Sequence, residues 1–196
     1  MGLDMFLRAR KKDWKEKIPR NVLAESGDYI DDREKFIRQL GTDRVLDLIL
    51  NRYIFVWQDA TISHVGLELT KEVGYWRKAN AIHNWFVKNV QDGEDDCGYY
   101  VITKEQLKTL QEICGKVYES LDDNNMKTIT NKDGYKIEVY SDTELAKDLL
   151  PTADGLFFGG TEYTKYYKED LLNTIRICNN CQYIPDNMEI LYHSSW

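Results

Sequence analysis

The stretch "KTITNKDGYKIEVY", Lys127–Tyr140, decides the fold class. Two runs of alternating branched or aromatic and polar residues flank "NKDG", Asn131–Gly134. A two-residue period marks strands that turn one face inward. Asp133-Gly134 suits a turn needing positive φ, which glycine reaches without steric cost. The stretch therefore predicts an antiparallel hairpin. Its neighbours are of the other kind. "SDTE" at 141–144 has capping-box spacing and predicts a short helix that Pro151 ends. Upstream, Thr103 and Gln106 form a second capping box. It opens a helix along Leu107, Leu110, Ile113, Cys114 and Val117.

Further outward, helical and β-like segments mix. "GLDMFLRAR" at 2–10 alternates like a strand, and "YIFVWQ" and "ISHVGLEL" are rich in branched and aromatic residues. "DDREKFIRQLG" and "TDRVLDLILNRY" have helical spacing. So does Trp76 to about Gln91, which Gly93 follows. "GYYVIT" at 98–103 is a short strand, and "GLFFGG" at 155–160 a short buried strand or turn. "TEYTKYYKEDLLNTIRIC" is a helix with Tyr163, Tyr167, Leu171, Ile175 and Cys178 on one face. "MEILYHSSW" reads as a last strand. No regular βαβ alternation runs through the chain. The expectation is one α+β domain over 1–196, with a mixed or antiparallel sheet and several packed helices.

The chain has 196 residues, a length suited to one domain with a sizeable core. No apolar run reaches the ~20 residues of a membrane span. The charges at Arg8, Arg10, Lys11 and Lys12 follow the first apolar residues, the reverse of a signal peptide. A cytoplasmic protein with no membrane partner is expected. Net charge is −7, unevenly spread. Residues 1–20 hold seven Lys/Arg against three acids, a balance of +4 that leaves −11 for the rest. An acidic bulk argues against nucleic-acid binding, which needs a basic surface to neutralise phosphates.

Four cysteines occur, Cys97, Cys114, Cys178 and Cys181, and only the last two are closely spaced. A structural zinc site usually has two close pairs. Buried free thiols are expected, and no metal.

The densest stretch is "EVGYWRKANAIHNWFVKNVQDGEDDCG", 72–98. On a helix, Trp76, Ala79, Ile82, Phe86 and Val90 share an apolar stripe, so packing accounts for much of its aromatic content. Arg77, Asn80, Asn84 and Lys88 share a polar face, and His83 lies at the border. Arginine's planar fork suits an anionic group, and asparagine suits a base edge or amide. His83 has no histidine three or four residues away, so a helical metal pair is excluded. As a proton-transfer group it needs an orienting partner, which the sequence does not display. The acidic loop 92–96 fails the calcium-loop pattern, with Cys97 where glycine and Thr103 where glutamate is required. It reads as solvated.

The second dense stretch is "PTADGLFFGGTEYTKYYKED", 151–170. Gly159 and Gly160 precede a helix that Thr161 can cap, and helix-start N–H groups can hold a carboxylate or phosphate. A capped turn with close backbone packing explains the same glycines. Tyr163, Tyr166 and Tyr167 offer stacking faces, with Tyr167 also suited to the core. The stretch is neither a P-loop nor GxGxxG, and no cofactor is expected. No GxSxG, HExxH or Cys–His arrangement occurs, so no catalytic residue is assigned.

"MGLDMFL", "EVGYWRKANAIHNWFVKNVQDGEDDC" and "LPTADGLFFGGTEYTKYYKEDL" together resemble a family of small proteins of phages, prophages and other mobile elements. That family begins Met-Gly-Leu-Asp-Met-Tyr-Leu, where this chain has Phe6. The three stretches cover about a third of the chain. The resemblance implies a phage-type accessory protein in a bacterial cytoplasm, and it carries no activity to transfer. Such proteins often act on host machinery or defence. Three classes follow. A binding protein would take a small anionic or nucleotide-like ligand, or a host protein. An enzyme would act on a nucleotide-like substrate. A dimerising interaction protein would need no small ligand. Binding ranks first, through Trp76, Arg77, Asn80, His83, Asn84, Gly159, Gly160, Thr161 and Tyr163 in one cleft. These residues make a recognition surface without a nucleophile–base–electrophile set.

Overall fold

A computed structural model describes residues 2–12, 55–58, 65–68, 71–155 and 157–196. The two helical patterns between 31 and 53 lie outside these residues. The fold is α+β. Its contacts divide the chain into two compact units, Met1–Ala9 with Glu72–Trp196, and Arg10–Lys71. Within the second unit, β2 (Phe55–Gln58) and β3 (Val65–Glu68) pair antiparallel, with Val56 opposite Leu67.

The first unit is built on a four-stranded sheet. Its strands are β1 (Asp4–Lys11), β4 (Lys71–Arg77), β5 (Tyr99–Ile102) and β8 (Met188–Ser195), in the order β4-β1-β8-β5. β5 and β8 are antiparallel, with Tyr99 opposite His193 and Ile102 opposite Ile190. Met5, Leu7 and Ala9 of β1 are buried, as is Leu3 just before it, so their alternation turns one face of the strand inward. The helices are α1 (Asn80–Asn89), α2 (Lys104–Ser120), α3 (Glu144–Leu149) and α4 (Lys165–Cys181). Phe86 of α1 stacks on Tyr192 of β8 with centroids 3.9 Å apart, and Trp76 meets Phe86 edge-on at 5.8 Å. Cys114 of α2 and Cys178 and Cys181 of α4 are buried free thiols in the same core.

The hairpin forms as expected. β6 (Met126–Thr130) and β7 (Lys136–Tyr140) pair with Ile129 opposite Ile137. The Gly134 N–H donates to the Asn131 carbonyl at 3.0 Å, and Gly134 takes φ +84°. The Thr103 capping box also forms. The Gln106 N–H donates to Thr103 Oγ1 at 3.1 Å, and the Thr103 N–H to Gln106 Oε1 at 2.9 Å. The final strand is interior to the sheet, not at its edge.

Three expectations change. The helix expected from Trp76 starts only at Asn80, and Trp76 and Arg77 end β4. Val73, Tyr75 and Trp76 suit a pleated surface. Lys78 then takes the left-handed region at φ 60°, and its N–H donates to the Leu3 carbonyl at 2.7 Å. That sheet-type bond and the left-handed residue hold the helix back. The capping box expected at 141–144 does not form. Thr143 is the N-cap without a side-chain bond, while Asp142 accepts from the Glu144 N–H at 3.3 Å. Thr161 caps no helix, since α4 begins at Lys165. The Thr161 carbonyl accepts from Thr152 Oγ1, and the Tyr163 carbonyl from the Tyr140 N–H, which keeps 161–164 extended against β7. For 155–160, where the sequence leaves a short buried strand or a turn open, the described residues form a turn.

Candidate functional site

A cleft of about 740 Å³ opens where four pieces of the first unit converge. The end of β4 and the start of α1 supply Arg77, Lys78 and Asn80. The loop before α4 supplies Thr152, Gly159, Gly160 and Glu162. The hairpin supplies Asn131, Ile137 and Glu138. The first turns of α4 supply Lys165, Tyr166, Glu169 and Asp170. The volume falls in the range of small-ligand sites, roughly 300–1,000 Å³.

The two dense stretches of sequence therefore meet, and the asparagines are what hold them. Asn80 is buried. Its Nδ2 donates to the carbonyls of Phe158 (3.2 Å) and Gly160 (2.8 Å), and its Oδ1 accepts from the Ala153 N–H (3.2 Å). Asn84 Nδ2 donates to the Pro151 carbonyl at 3.2 Å. These amides are occupied in satisfying the backbone of the loop 151–160. Gly159 takes φ +91°, and a Cβ there would lie 3.4 Å from Lys78 Cβ, so the loop can pass close over the β4–α1 corner.

Arg77 and Lys78 are exposed side chains in the cleft, and neither makes a hydrogen bond or ion pair to a described residue. Their positive charge is available to a ligand. The carboxyl of Asp170, half-buried on α4, likewise makes no hydrogen bond or ion pair to a described residue, while the Asp170 carbonyl accepts from Thr174 Oγ1. Burial, and then the neighbouring Glu169 charge, push its carboxyl from 3.8 up to about 7. Tyr166 lies one helical turn before Asp170, four residues away, and is 78% exposed.

Other expected site residues are placed elsewhere. Trp76 is 1% exposed, and its Nε1–H donates to Thr174 Oγ1 at 2.9 Å, anchoring β4 on α4. Tyr163 is buried edge-on to Tyr167 at 4.9 Å, and Thr161 is half-buried beside it. Neither lines the cleft. His83 is 1% exposed and does not line it either. It has the orienting partner absent from the sequence pattern. Its Nε2 lies 2.9 Å from Asp95 Oδ2, and its Nδ1 2.7 Å from the Tyr192 hydroxyl. A carboxylate only accepts, so Nε2 donates to Asp95, and in the neutral imidazole Nδ1 is then left to accept from Tyr192. Asp95 also accepts from Trp196 Nε1 at 3.2 Å, and Asp96 from the Gly98 N–H and the Tyr100 hydroxyl. The acidic loop is thus a fastening that ties α1 to β8, and not merely a solvated turn.

Lys78, Glu138, Lys165 and Asp170 complete the cleft, and the sequence reading did not assign them to it. Tyr166 and Asp170 carried the one available signal, a ring and a carboxyl four apart on the polar border of an amphipathic helix. Among the described residues no group of His, Cys, Asp or Glu is arranged to hold a metal ion, and no helix is long and apolar enough to cross a membrane. Comparison with family models, with curated proteins and with solved structures gives no match. The functional reading therefore rests on the geometry of the cleft.

Proposed function

We propose that the chain binds a small anionic, nucleotide-like ligand in this cleft. The observation that carries the reading is Arg77. It is a guanidinium without a hydrogen-bond or ion-pair partner among the described residues, set beside Lys78 in a cleft whose size suits a small molecule. Arginine's fork makes two parallel bonds to a phosphate or carboxylate, and its charge is retained at every accessible pH. Lys165 supports it from α4. The resemblance of three stretches to phage and mobile-element proteins adds a role. Such a protein would sequester the ligand in an infected host cell, and a host defence signal is the kind of ligand that role requires.

The test is calorimetric titration of the protein with inorganic phosphate and with the four common ribonucleoside monophosphates. Arg77→Ala should weaken binding of every phosphate compound by about tenfold or more. Its unfolding free energy should stay within about 0.5 kcal/mol of the parent. Asn80→Ala should behave in the opposite way. It leaves the Ala153 N–H and two carbonyls without partners and should cost about 1–3 kcal/mol of stability. If the parent protein binds none of these compounds, or if Arg77→Ala binds them as the parent does, the reading is wrong.

A further inference from the structure

We infer that the cleft is built for a guanine nucleotide, with Asp170 reading the base edge and Tyr166 stacking on the base. This rests on the reading of Arg77 as the anion-binding end. Three observations combine. First, Asp170 lines the cleft with a half-buried carboxyl that makes no hydrogen bond or ion pair to a described residue. A partly buried carboxyl without protein partners is costly unless something else supplies donors. Second, Tyr166 lines the same cleft, is largely exposed, and precedes Asp170 by four residues on α4. Residues so spaced are neighbours on one helix face. A planar ring resting on the phenol would therefore bring its edge to the carboxyl. Third, Arg77, which ends β4, and Lys78, which follows it, line the same cleft as Tyr166 and Asp170.

The chemistry selects among bases. A carboxylate has two acceptor oxygens and no donor. The Watson–Crick edge of guanine presents two adjacent donors, the ring N1–H and the exocyclic amino group. Adenine presents a donor beside an acceptor, cytosine does the same, and uracil presents a single donor between two acceptors. Only guanine matches both carboxylate oxygens at once. A site built around a buried hydrogen-bonding group rejects a ligand that leaves it unpaired. The phenol face tolerates any base, so Tyr166 contributes affinity and not selectivity.

The experiment compares guanosine, inosine and adenosine monophosphates, free guanosine and inorganic phosphate by calorimetry at pH 8. Guanosine monophosphate should bind about tenfold or more tightly than the inosine compound, which lacks the amino group. Asp170→Asn should abolish that preference while leaving phosphate binding as in the parent. Tyr166→Ala should weaken all nucleotides but not phosphate. Equal affinity for all bases, or a guanine preference that survives in Asp170→Asn, overturns the inference and leaves the anion-binding reading intact. Guanosine binding that Arg77→Ala does not weaken, with no phosphate binding, overturns the anion reading and supports the base-edge assignment. Absence of binding by every compound overturns both.

Discussion

Asp170 shows how much one side chain's surroundings decide. In an unfolded chain its carboxyl would titrate near 3.8, and in the fold it titrates near 7, because burial penalises the charged form. Between those values the native state holds a proton that the unfolded state has lost. Stability contributed by this group is therefore full below about pH 4 and declines as pH rises toward 7. The charged groups around the same cleft are Glu169, Glu138, Glu162, Arg77, Lys78 and Lys165. In urea unfolding at pH 5 and pH 8, the parent should lose stability on going to the higher pH. Asp170→Asn should lose clearly less. Equal losses in the two proteins would show that the carboxyl is not held protonated by the fold. His83 is the complementary case. The residue that reads as a border histidine is in fact enclosed, with both ring nitrogens committed to Tyr192 and Asp95.

At the scale of elements, caps separate what short-range pattern specifies from what it does not. At Thr103 both arms of the box close within four residues, and no distant contact competes. At Thr161 the same residue type stands before a helical pattern, yet the chain stays extended because β7 takes the Tyr163 carbonyl. Thr103→Ala should therefore cost about 1 kcal/mol of stability, the usual cost of a lost cap. Thr161→Ala should cost less than about 0.5 kcal/mol, as for a site that makes no capping bond. Thermal or denaturant unfolding of the two variants checks this. A larger loss at Thr161 than at Thr103 would contradict the assignment of the α4 start. β4 teaches the same lesson. Trp76, Ala79, Ile82 and Phe86 satisfy a helical period and are all buried, but Trp76 reaches the core from a strand. Burial was legible there, and the element that delivers it was not, since a stripe with that spacing can be assembled across a strand–helix corner.

At the scale of the whole molecule, charge makes one further prediction. Residues 21–196 carry −11. In a fluorescence-anisotropy titration at about 150 mM salt, a labelled duplex DNA should show only weak binding, in or above the non-specific range of roughly 10⁻⁴–10⁻⁶ M. Submicromolar binding that falls steeply with added salt would mean that the basic segment 1–20 outweighs the acidic bulk. By itself the sequence determined the α+β class, the "NKDG" hairpin, the Thr103 helix and the inward face of β1, and the expected burial of the four thiols holds for Cys114, Cys178 and Cys181 but not for Cys97, which is half-buried. Each of these follows from period, turn chemistry or side-chain solvation over a few consecutive residues. It also singled out Arg77, Asn80, Gly159 and Gly160. Only the tertiary structure decided that these four share a cleft, that Asn80 is spent on the loop and that Arg77 is left available. Only there does Asp170 lie half-buried without a partner, while His83 is sealed between Asp95 and Tyr192. Those outcomes depend on contacts across the chain, from 78 positions for Asn80–Phe158 to 109 for His83–Tyr192, together with the 12-residue reach of His83 to Asp95. A local pattern states what a residue can bond to, but the fold determines which of its bonding groups are already used.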